Sequence, residues 1–247
     1  HRRGRCPRAR EVATAAAMNA QLPLLLRWPA QQRFETFVTG TANRIALAVL
    51  QEAATTGAAH SVFVSGPAGS GKTHLLLAAC AAATAVGRTA QYLALGKLMD
   101  RAEAIRAFGG SDLLALDDVH AIAGDATAEH ALFDLYNRCK VERSTLLFSA
   151  SAQPAQIGIG LPDLVSRLSA CTQARLIPLD DAQRRDWLRA RAGTRGLILD
   201  DGVLDWLFAH HARDLSSLAD LLERMDRAAL AAQRRVTVPF LRDLLRT

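Results

Sequence analysis

From residue 61 onward, short apolar runs alternate with longer stretches in which apolar residues recur every three to four positions. The short runs predict strands at 61–66, 89–95, 112–120, 144–151 and 172–179. The longer stretches predict helices at 72–87, 96–108, 127–143 and 161–169. Strands that are separated by helices form a parallel sheet, and such a sheet is covered by helices on both faces. The pattern therefore predicts an α/β domain.

After Pro178 the strand pattern stops, and four helix-like segments follow. Residues that favour helix N-caps stand at their starts: Asp180 or Asp181, Asp200 or Asp201, Asp214, and Thr237. Residues 179–247 are therefore predicted to form a small all-helical second domain.

The composition excludes several classes of protein. The four cysteines lie far apart with no CxxC pair, which argues against a zinc site or a disulfide scaffold and favours a cytoplasmic location. No apolar run approaches the roughly 18 residues of a membrane span. Residues 1–17 hold five arginines and one glutamate, and so account for +4 of the net charge of +6. Because Met18 opens a plausible start, we expect residues 1–17 to be a disordered upstream extension, with a transit peptide as the alternative.

The segment GPAGSGKT at 66–73 fits the P-loop pattern GxxxxGK[ST] and stands between a predicted strand and a predicted helix. Glycines let the loop backbone turn its N–H groups towards phosphate oxygens at a helix N-terminus. Lys72 is expected to bind the β- and γ-phosphates, and Thr73 to offer a hydroxyl to Mg²⁺. The predicted nucleotide-binding residues of the loop and the next helical position are Gly66, Pro67, Gly69, Ser70, Gly71, Lys72, Thr73 and His74.

Two acidic residues end the predicted strand at 112–120. Asp117 is expected to hold Mg²⁺ through water, and Asp118 to orient or deprotonate an attacking water. An Asp-Asp pair is also common in turns and helix caps, but its place after a P-loop favours the nucleotide site.

A P-loop sheet followed by a helical domain resembles the AAA+ ATPases, with the α/β domain at 31–178 and a lid at 179–247. The segment FETFVTGTANRIALAVLQEAA at 34–54 looks like the start of the ATPase domain of the bacterial replication initiator DnaA. That resemblance implies that Phe37, Val38 and Asn43 line the adenine pocket. An amphipathic helix with an aromatic staple is the competing interpretation of the same segment.

The resemblance also gives roles to three residues outside the P-loop. Arg167, in LPDLVSRLSAC, matches the Box VII arginine finger, which reaches the γ-phosphate of a neighbouring subunit. Arg213 matches the sensor 2 arginine, which brings the lid onto bound nucleotide. For both arginines a surface salt bridge is the alternative. At sensor 1 these proteins carry an Asp, whereas this chain has Ser151, so we expect nucleotide binding with weak intrinsic hydrolysis.

Two features at the ends of the chain depart from DnaA. No helix-turn-helix follows the lid, so sequence-specific DNA binding is not expected. Before the core, residues 18–30 contain QLPLLL, which resembles the peptides that bind the DNA polymerase III beta sliding clamp. Its expected clamp-binding residues are Gln21, Leu22, Leu24, Leu25 and Leu26. Packing of this segment on the protein's own core is the alternative.

Together these features resemble the DnaA-related regulators within the family. The resemblance implies a protein that binds ADP or ATP with Mg²⁺, engages DnaA and the clamp, and promotes hydrolysis of DnaA-bound ATP. Such a protein inhibits the initiation of DNA replication. A helicase-loader-type ATPase on single-stranded DNA is the main alternative, and a truncated DNA-binding initiator is a third. Assembly into a homo-oligomer is left open.

Overall fold

A five-stranded parallel sheet forms the centre of the larger domain. In the computed structural model, which describes residues 28–211, 215–232 and 236–246, the strands are β1 (Ser61–Ser65), β2 (Ala90–Ala94), β3 (Leu113–Asp117), β4 (Thr145–Ala150) and β5 (Thr172–Arg175). Their order in the sheet is β2-β3-β4-β1-β5, and every neighbouring pair is parallel. This order places β3 and the P-loop strand β1 on the two sides of β4.

Helices cover both faces of the sheet. They are α1 (Arg44–Thr55), α2 (Lys72–Ala85), α3 (Arg101–Ala107), α4 (Ala126–Glu142) and α5 (Pro162–Ser169). One buried cluster joins Leu50 of α1 and Leu75 of α2 to Val64. A second joins Leu132 of α4 and Leu168 of α5 to Phe148. Because both faces are buried, β3 and β4 are apolar almost throughout and not alternating. The predicted α/β fold class is confirmed.

Four further helices form the lid: α6 (Asp181–Gly193), α7 (Asp201–His210), α8 (Leu215–Ala232) and α9 (Val238–Arg246). They enclose a separate core that includes Leu188, Leu207 and Met225. Asp180 caps α6 by accepting a hydrogen bond from the Gln183 N–H, and the Asp180 N–H donates to the side-chain oxygen of Gln183. These reciprocal bonds form a capping box, which satisfies backbone donors at the start of the lid.

The predicted elements differ from the observed ones mainly at their ends. Strand β3 stops at Asp117 because Asp118 adopts a left-handed conformation with φ of 59°. Strand β5 stops at Arg175, and the Ile177 N–H bonds to the Asn43 side chain instead of a neighbouring strand. Helix α3 begins at Arg101 because Asp100 caps it through the Glu103 N–H. A short 3₁₀ helix, Leu95–Lys97, precedes it.

None of the helices in the described part of the chain is long and apolar enough to cross a bilayer. Residues 1–27 lie outside the described residues, and with them Gln21, Leu22, Leu24, Leu25 and Leu26 of the predicted clamp-binding peptide. Arg213 also lies outside them.

Candidate nucleotide-binding site

The P-loop connects the carboxyl end of β1 to the start of α2. Gly69 and Gly71 have φ values of 73° and 94°, a region that glycine enters without steric cost. The Lys72 ammonium is buried against the loop and donates to the carbonyl oxygens of Gly66 at 2.8 Å and Pro67 at 2.9 Å. Burial lowers the pKa of Lys72, and the nearby carboxylates of Asp118 and Asp117 act in the opposite direction. The loop therefore holds a cation beside its own backbone.

The base of the loop contains a buried hydroxyl group without a hydrogen-bond partner among the described residues. Ser70 is 5% exposed, and its hydroxyl has no hydrogen-bond partner among the described residues. A Cβ atom at Gly66 would lie 2.8 Å from both the Leu176 carbonyl oxygen and the Ser70 hydroxyl oxygen. Because the first turn of the loop packs so closely against the residue that follows β5, only glycine fits at Gly66.

Three hydroxyl groups converge on the buried carboxylate of Asp117. Thr73 donates to one oxygen at 2.6 Å, and Tyr92 donates to the same oxygen at 2.7 Å. Ser149 donates to the other oxygen. Burial raises the pKa of Tyr92, and the charge of Asp117 raises it further, so the phenol stays protonated as a donor. Sequence reasoning found Thr73 and Asp117 but missed Tyr92 and Ser149.

Asp118 follows in a left-handed conformation, which Asp tolerates better than most residues. Its carboxylate lies against Gly96, where a Cβ atom would be 3.0 Å from Oδ2. Its N–H donates to the Ser149 hydroxyl at 3.1 Å. Asp118 lines the same cleft as Lys72 and Thr73.

Ser151, the residue expected at sensor 1, lies just beyond β4 and is exposed. It lines a small cavity of about 250 Å³ beside Gly66 and Pro67, together with Arg175. Ser149, two residues earlier, is the serine of this strand that bonds to Asp117. Its sequence signal is a polar residue that directly follows the apolar run Leu146–Phe148.

The core side of the cleft carries the residues expected around the base. Phe37 and Val38 line it, and the Phe37 ring lies 5.4 Å from the His74 ring between centroids. Asn43 lines it as well, but its amide is bound on both sides to the Ile177 backbone, each bond at 2.9 Å. Asn43 therefore ties the start of α1 to the segment that leads into the lid.

His74 sits beneath Phe37 in the first turn of α2. Its Nε2 lies 2.9 Å from the Arg33 carbonyl oxygen, an arrangement in which Nε2 carries the proton and donates. Burial lowers the pKa of His74, and the charge of Arg191 adds to that effect, although the bond to Arg33 opposes it. The imidazole is thus held in its neutral form beside the cleft.

The lid supplies the opposite wall of this cleft, whose volume is about 640 Å³. That volume falls within the usual range for ligand-binding pockets. Trp187, Arg191 and Arg195 come from α6 and the segment after it, and Leu215 and Glu223 come from α8. Arg195 faces Glu223 at 3.9 Å. Sequence reasoning missed Arg191 and Arg195, because arginines are frequent along this chain and their positions gave no motif.

Arg167 lies outside the cleft, in the last turn of α5. It is exposed, and none of the ion pairs found among the described residues includes it. Its guanidinium carbon stands 6.0 Å from the centroid of the Tyr136 ring on α4. The described part of the chain therefore provides no salt-bridge partner for Arg167.

The donors at the P-loop fit a magnesium nucleotide. Mg²⁺ in nucleotide sites takes one or two protein oxygens and completes its shell with phosphates and water. The Thr73 hydroxyl and an Asp117 carboxylate oxygen, 2.6 Å apart, are such a pair. Ser70, Lys72 and the left-handed Gly69 and Gly71 provide donors on the phosphate side.

A parallel P-loop sheet with a helical lid over the nucleotide cleft defines an AAA+ protein. The family model of the bacterial DnaA ATPase domain matches residues 29–174, which is more than half of the chain. The model described as "Hda, lid domain" matches residues 181–245. The chain therefore belongs to the family of the bacterial DnaA ATPase domain, as a DnaA-related protein with the lid of Hda.

Solved structures show the same fold. Domain III of the Thermotoga maritima replication initiation protein DnaA superposes with a TM-score of 0.70 at 24% identity, covering 89% of this chain and 97% of that chain. AMPPCP-bound DnaA from Aquifex aeolicus gives 0.68 at 23% identity, covering 81% and 66%. The Thermotoga maritima branch migration motor RuvB gives 0.63 at 15% identity, covering 89% and 72%. The similarity to RuvB shows that the fold extends beyond the initiators.

Proposed function

We propose that this protein is a regulatory AAA+ protein that promotes hydrolysis of DnaA-bound ATP and so limits the initiation of DNA replication. In this role it binds an adenine nucleotide and the DNA-loaded sliding clamp. The observation that carries the proposal is the combination of a DnaA-type ATPase domain and an Hda lid with an exposed Arg167 on α5, which forms no ion pair among the described residues. The AMPPCP in the Aquifex relative supports an adenine nucleotide as ligand.

The protein's own nucleotide has mainly a structural role in this proposal. P-loop N–H groups and Lys72 bind phosphate, and Phe37 and Val38 cover the base. Arg191 and Arg195 face the cleft from the lid side, so a bound nucleotide is contacted by both domains. Thr73 and Asp117 would hold Mg²⁺, which neutralises phosphate charge when bound. A ligand that binds the folded form alone stabilises it by RT ln(1+[L]/Kd), about 2.7 kcal/mol at a hundredfold excess over Kd.

Arg167 supplies the chemistry towards DnaA. A guanidinium is always charged and presents a planar fork of N–H donors that matches phosphate oxygens. Charge builds up on the γ-phosphate oxygens during phosphoryl transfer, and an arginine supplied from a partner accelerates such reactions by roughly 10³–10⁵. Because Arg167 is exposed and outside the protein's own cleft, we assign it to the nucleotide of the partner.

Attachment to the clamp is assigned to QLPLLL, which lies outside the described residues. The described chain starts at Trp28, whose indole N–H donates to the Thr84 hydroxyl at 3.0 Å near the end of α2. Arg33 donates to the carbonyl oxygens of Trp28 and Pro29. Trp28 is therefore held against α2.

The decisive experiment measures hydrolysis of labelled ATP on DnaA in the presence of clamp and DNA. Arg167→Ala should lose stimulation by on the order of 10³-fold, with nucleotide and clamp binding unchanged. Arg167→Lys should not rescue it, since a point charge lacks the fork. Arg106→Ala removes an exposed arginine from α3 and serves as the matched control. Near-normal stimulation by Arg167→Ala would remove the proposed mechanism.

Clamp binding is tested separately by a pull-down with the beta clamp. Gln21→Ala with Leu22→Ala should abolish capture and leave the melting temperature unchanged, because these side chains are assigned to a pocket of the partner. Gln51→Ala with Leu230→Ala removes the same two residue types from exposed positions and should bind normally. A large drop in melting temperature for the first variant would support packing on the protein's own core. Strong DNA-stimulated ATPase activity without clamp dependence would favour the helicase-loader function.

A further inference from the structure

A buried carboxylate on α4 has only backbone partners in the described structure. Glu129 is 2% exposed, and none of the ion pairs found among the described residues includes it. Its carboxylate accepts hydrogen bonds from the N–H groups of Gly124 at 2.9 Å, Gly160 at 3.0 Å and Leu161 at 2.8 Å. A buried charge is costly unless it is paired or well hydrogen-bonded. Glu129 therefore meets this requirement through three backbone donors.

These three donors belong to two loops with different neighbours. Gly124 follows the short 3₁₀ helix Val119–Ile122, which comes directly after Asp118. Gly160 and Leu161 immediately precede α5, and Leu161 is its N-cap residue. Pro162 starts the helix and has no N–H, so Glu129 binds the last backbone donors before α5. One carboxylate thus fixes the entry into the helix that carries Arg167.

The same face of α4 also supports the other end of α5. Tyr136 comes seven residues after Glu129, which is about two helical turns, so the two side chains project from the same face of α4. Tyr136 is 3% exposed, and its ring lies beneath the Arg167 guanidinium at 6.0 Å. A cation at this distance from an aromatic ring is attracted by the ring quadrupole. The attraction favours guanidinium positions near the ring, whose centroid also lies 5.8 Å from the Lys140 ammonium.

We propose that α4 positions Arg167 for reaction through two contacts: Glu129 fixes the start of α5, and Tyr136 orients the guanidinium at its end. Neither residue is among the described residues that line the nucleotide cleft, so neither is placed to contact the protein's own nucleotide, and their assigned role is to position Arg167. The inference rests on the proposed function, in which Arg167 reaches the ATP of DnaA. The inference names the two residues that fix the position of α5, so that Arg167 can reach that ATP.

The test of Glu129 is Glu129→Gln in the assay with DnaA, clamp and DNA. The amide keeps the shape but replaces one acceptor oxygen with a donor, which faces backbone N–H groups that are donors themselves. A displacement of about 1 Å at a reacting group can cost on the order of 10²-fold in rate. We expect the maximal stimulated rate to fall on the order of 10- to 100-fold, with ADP affinity, clamp affinity and half-saturating DnaA concentration unchanged.

Two variants of the same helix are matched controls. Asp125→Ala removes the N-cap of α4, which accepts a hydrogen bond from the Ala128 N–H at 3.1 Å. Among the hydrogen bonds found in the described part of the chain, none joins Asp125 to the loop before α5. Glu142→Gln makes the same chemical change at an exposed position of α4. Both should retain full stimulation. A loss as large in Asp125→Ala as in Glu129→Gln would show a general effect of helix stability and overturn the inference.

Tyr136 tests the second contact independently of how Glu129→Gln folds. Tyr136→Phe keeps the ring and should keep stimulation, whereas Tyr136→Leu removes the ring and should lower the maximal rate. Full activity of the Leu variant, or equal loss in both variants, would overturn the role of the ring. Melting temperatures of the two variants report any cost of losing the hydroxyl.

Combination with Arg167→Ala separates the inference from the proposed function. If Glu129 acts through Arg167, Glu129→Gln should lower the rate no further once Arg167 is absent. A further loss in the double variant would overturn the inference and leave the proposed function standing. Normal stimulation by Glu129→Gln beside an inactive Arg167→Ala would do the same. Full stimulation by Arg167→Ala alone would overturn both.

Discussion

Gly71→Ala tests whether Phe37 belongs to the nucleotide site. Gly71 has φ of 94°, and a Cβ atom there would lie 2.6 Å from Phe37 Cε2. Carbon atoms pack at about 3.5–4.0 Å, so the ring must retreat by roughly 1 Å. That movement would shift the ring, which is assigned to the base pocket, away from the added Cβ atom on the loop. We expect ADP affinity to fall at least tenfold, which corresponds to about 1.4 kcal/mol.

Gly87→Ala is the matched control, since Gly87 has a similar φ of 82° and its added Cβ would meet nothing within 4 Å. Both substitutions carry the strain of a left-handed alanine, about 1–2 kcal/mol. For a protein of this size each should lower the melting temperature by about 2–4 °C per kcal/mol. Only Gly71→Ala should lose ADP affinity.

The measurement is ADP titration by calorimetry, with thermal unfolding in parallel. In a Phe37→Ala background, the added Cβ has no ring to displace, so Gly71→Ala should cost less affinity than in the wild type. If Gly71→Ala bound ADP as tightly as Gly87→Ala, the contact between Phe37 and the loop would have no part in nucleotide binding. An undiminished loss in the Phe37→Ala background would assign the effect to the loop backbone instead.

Three further predictions concern the same cleft. Lys72→Ala should abolish tight adenine-nucleotide binding because it removes the cation held at the loop, and unchanged ADP affinity in calorimetry would contradict the phosphate site. Intrinsic ATPase activity should be weak with or without single-stranded DNA, since Ser151 replaces the sensor 1 carboxylate; steady-state hydrolysis decides this, and a high rate that Ser151→Ala leaves intact would contradict it. The folded protein lowers the pKa of His74 below 6.5, so the unfolded chain binds its proton first and the free energy of unfolding should fall as pH drops below about 6.5. Denaturant titrations of the wild type and His74→Gln across this range should converge at low pH, and parallel curves would contradict the assignment.

The sequence was sufficient where the chemistry is local. All donors of the P-loop lie within eight consecutive residues, and the strand before it and the helix after it have clear patterns. Asp117 and Asp118 could be assigned because parallel strands bring their carboxyl ends to one edge of the sheet. Contacts between segments that lie far apart along the chain could not be predicted from the sequence. Tyr92 and Ser149 reach Asp117 because β2 and β4 flank β3, an order that no local pattern encodes.

Glu129 is a second example, since a glutamate in an amphipathic helix is normally a solvated residue. Its burial depends on the loop before α5 folding back over α4, more than 30 residues further along the chain. The ends of elements were missed for a related reason. The end of β5 is set by the Asn43 side chain, which binds the Ile177 backbone from a position 134 residues away.

The residues that bind nucleotide and those assigned to hydrolysis belong to different parts of this fold. Binding is assigned to the loop between β1 and α2 and to the lid, whereas Ser151, assigned to sensor 1, lies beyond β4 and Arg167 lies at the end of α5. If Ser151 is the sensor 1 residue, a serine in place of the carboxylate should weaken hydrolysis and leave in place every group assigned to phosphate. In the proposed function, a nucleotide that is bound and slowly hydrolysed would stay in contact with the lid and the ATPase domain across the cleft. The proposed function needs this nucleotide-bound state, because Arg167 acts on the nucleotide of the partner. Glu129 and Tyr136, which position Arg167, lie outside the cleft.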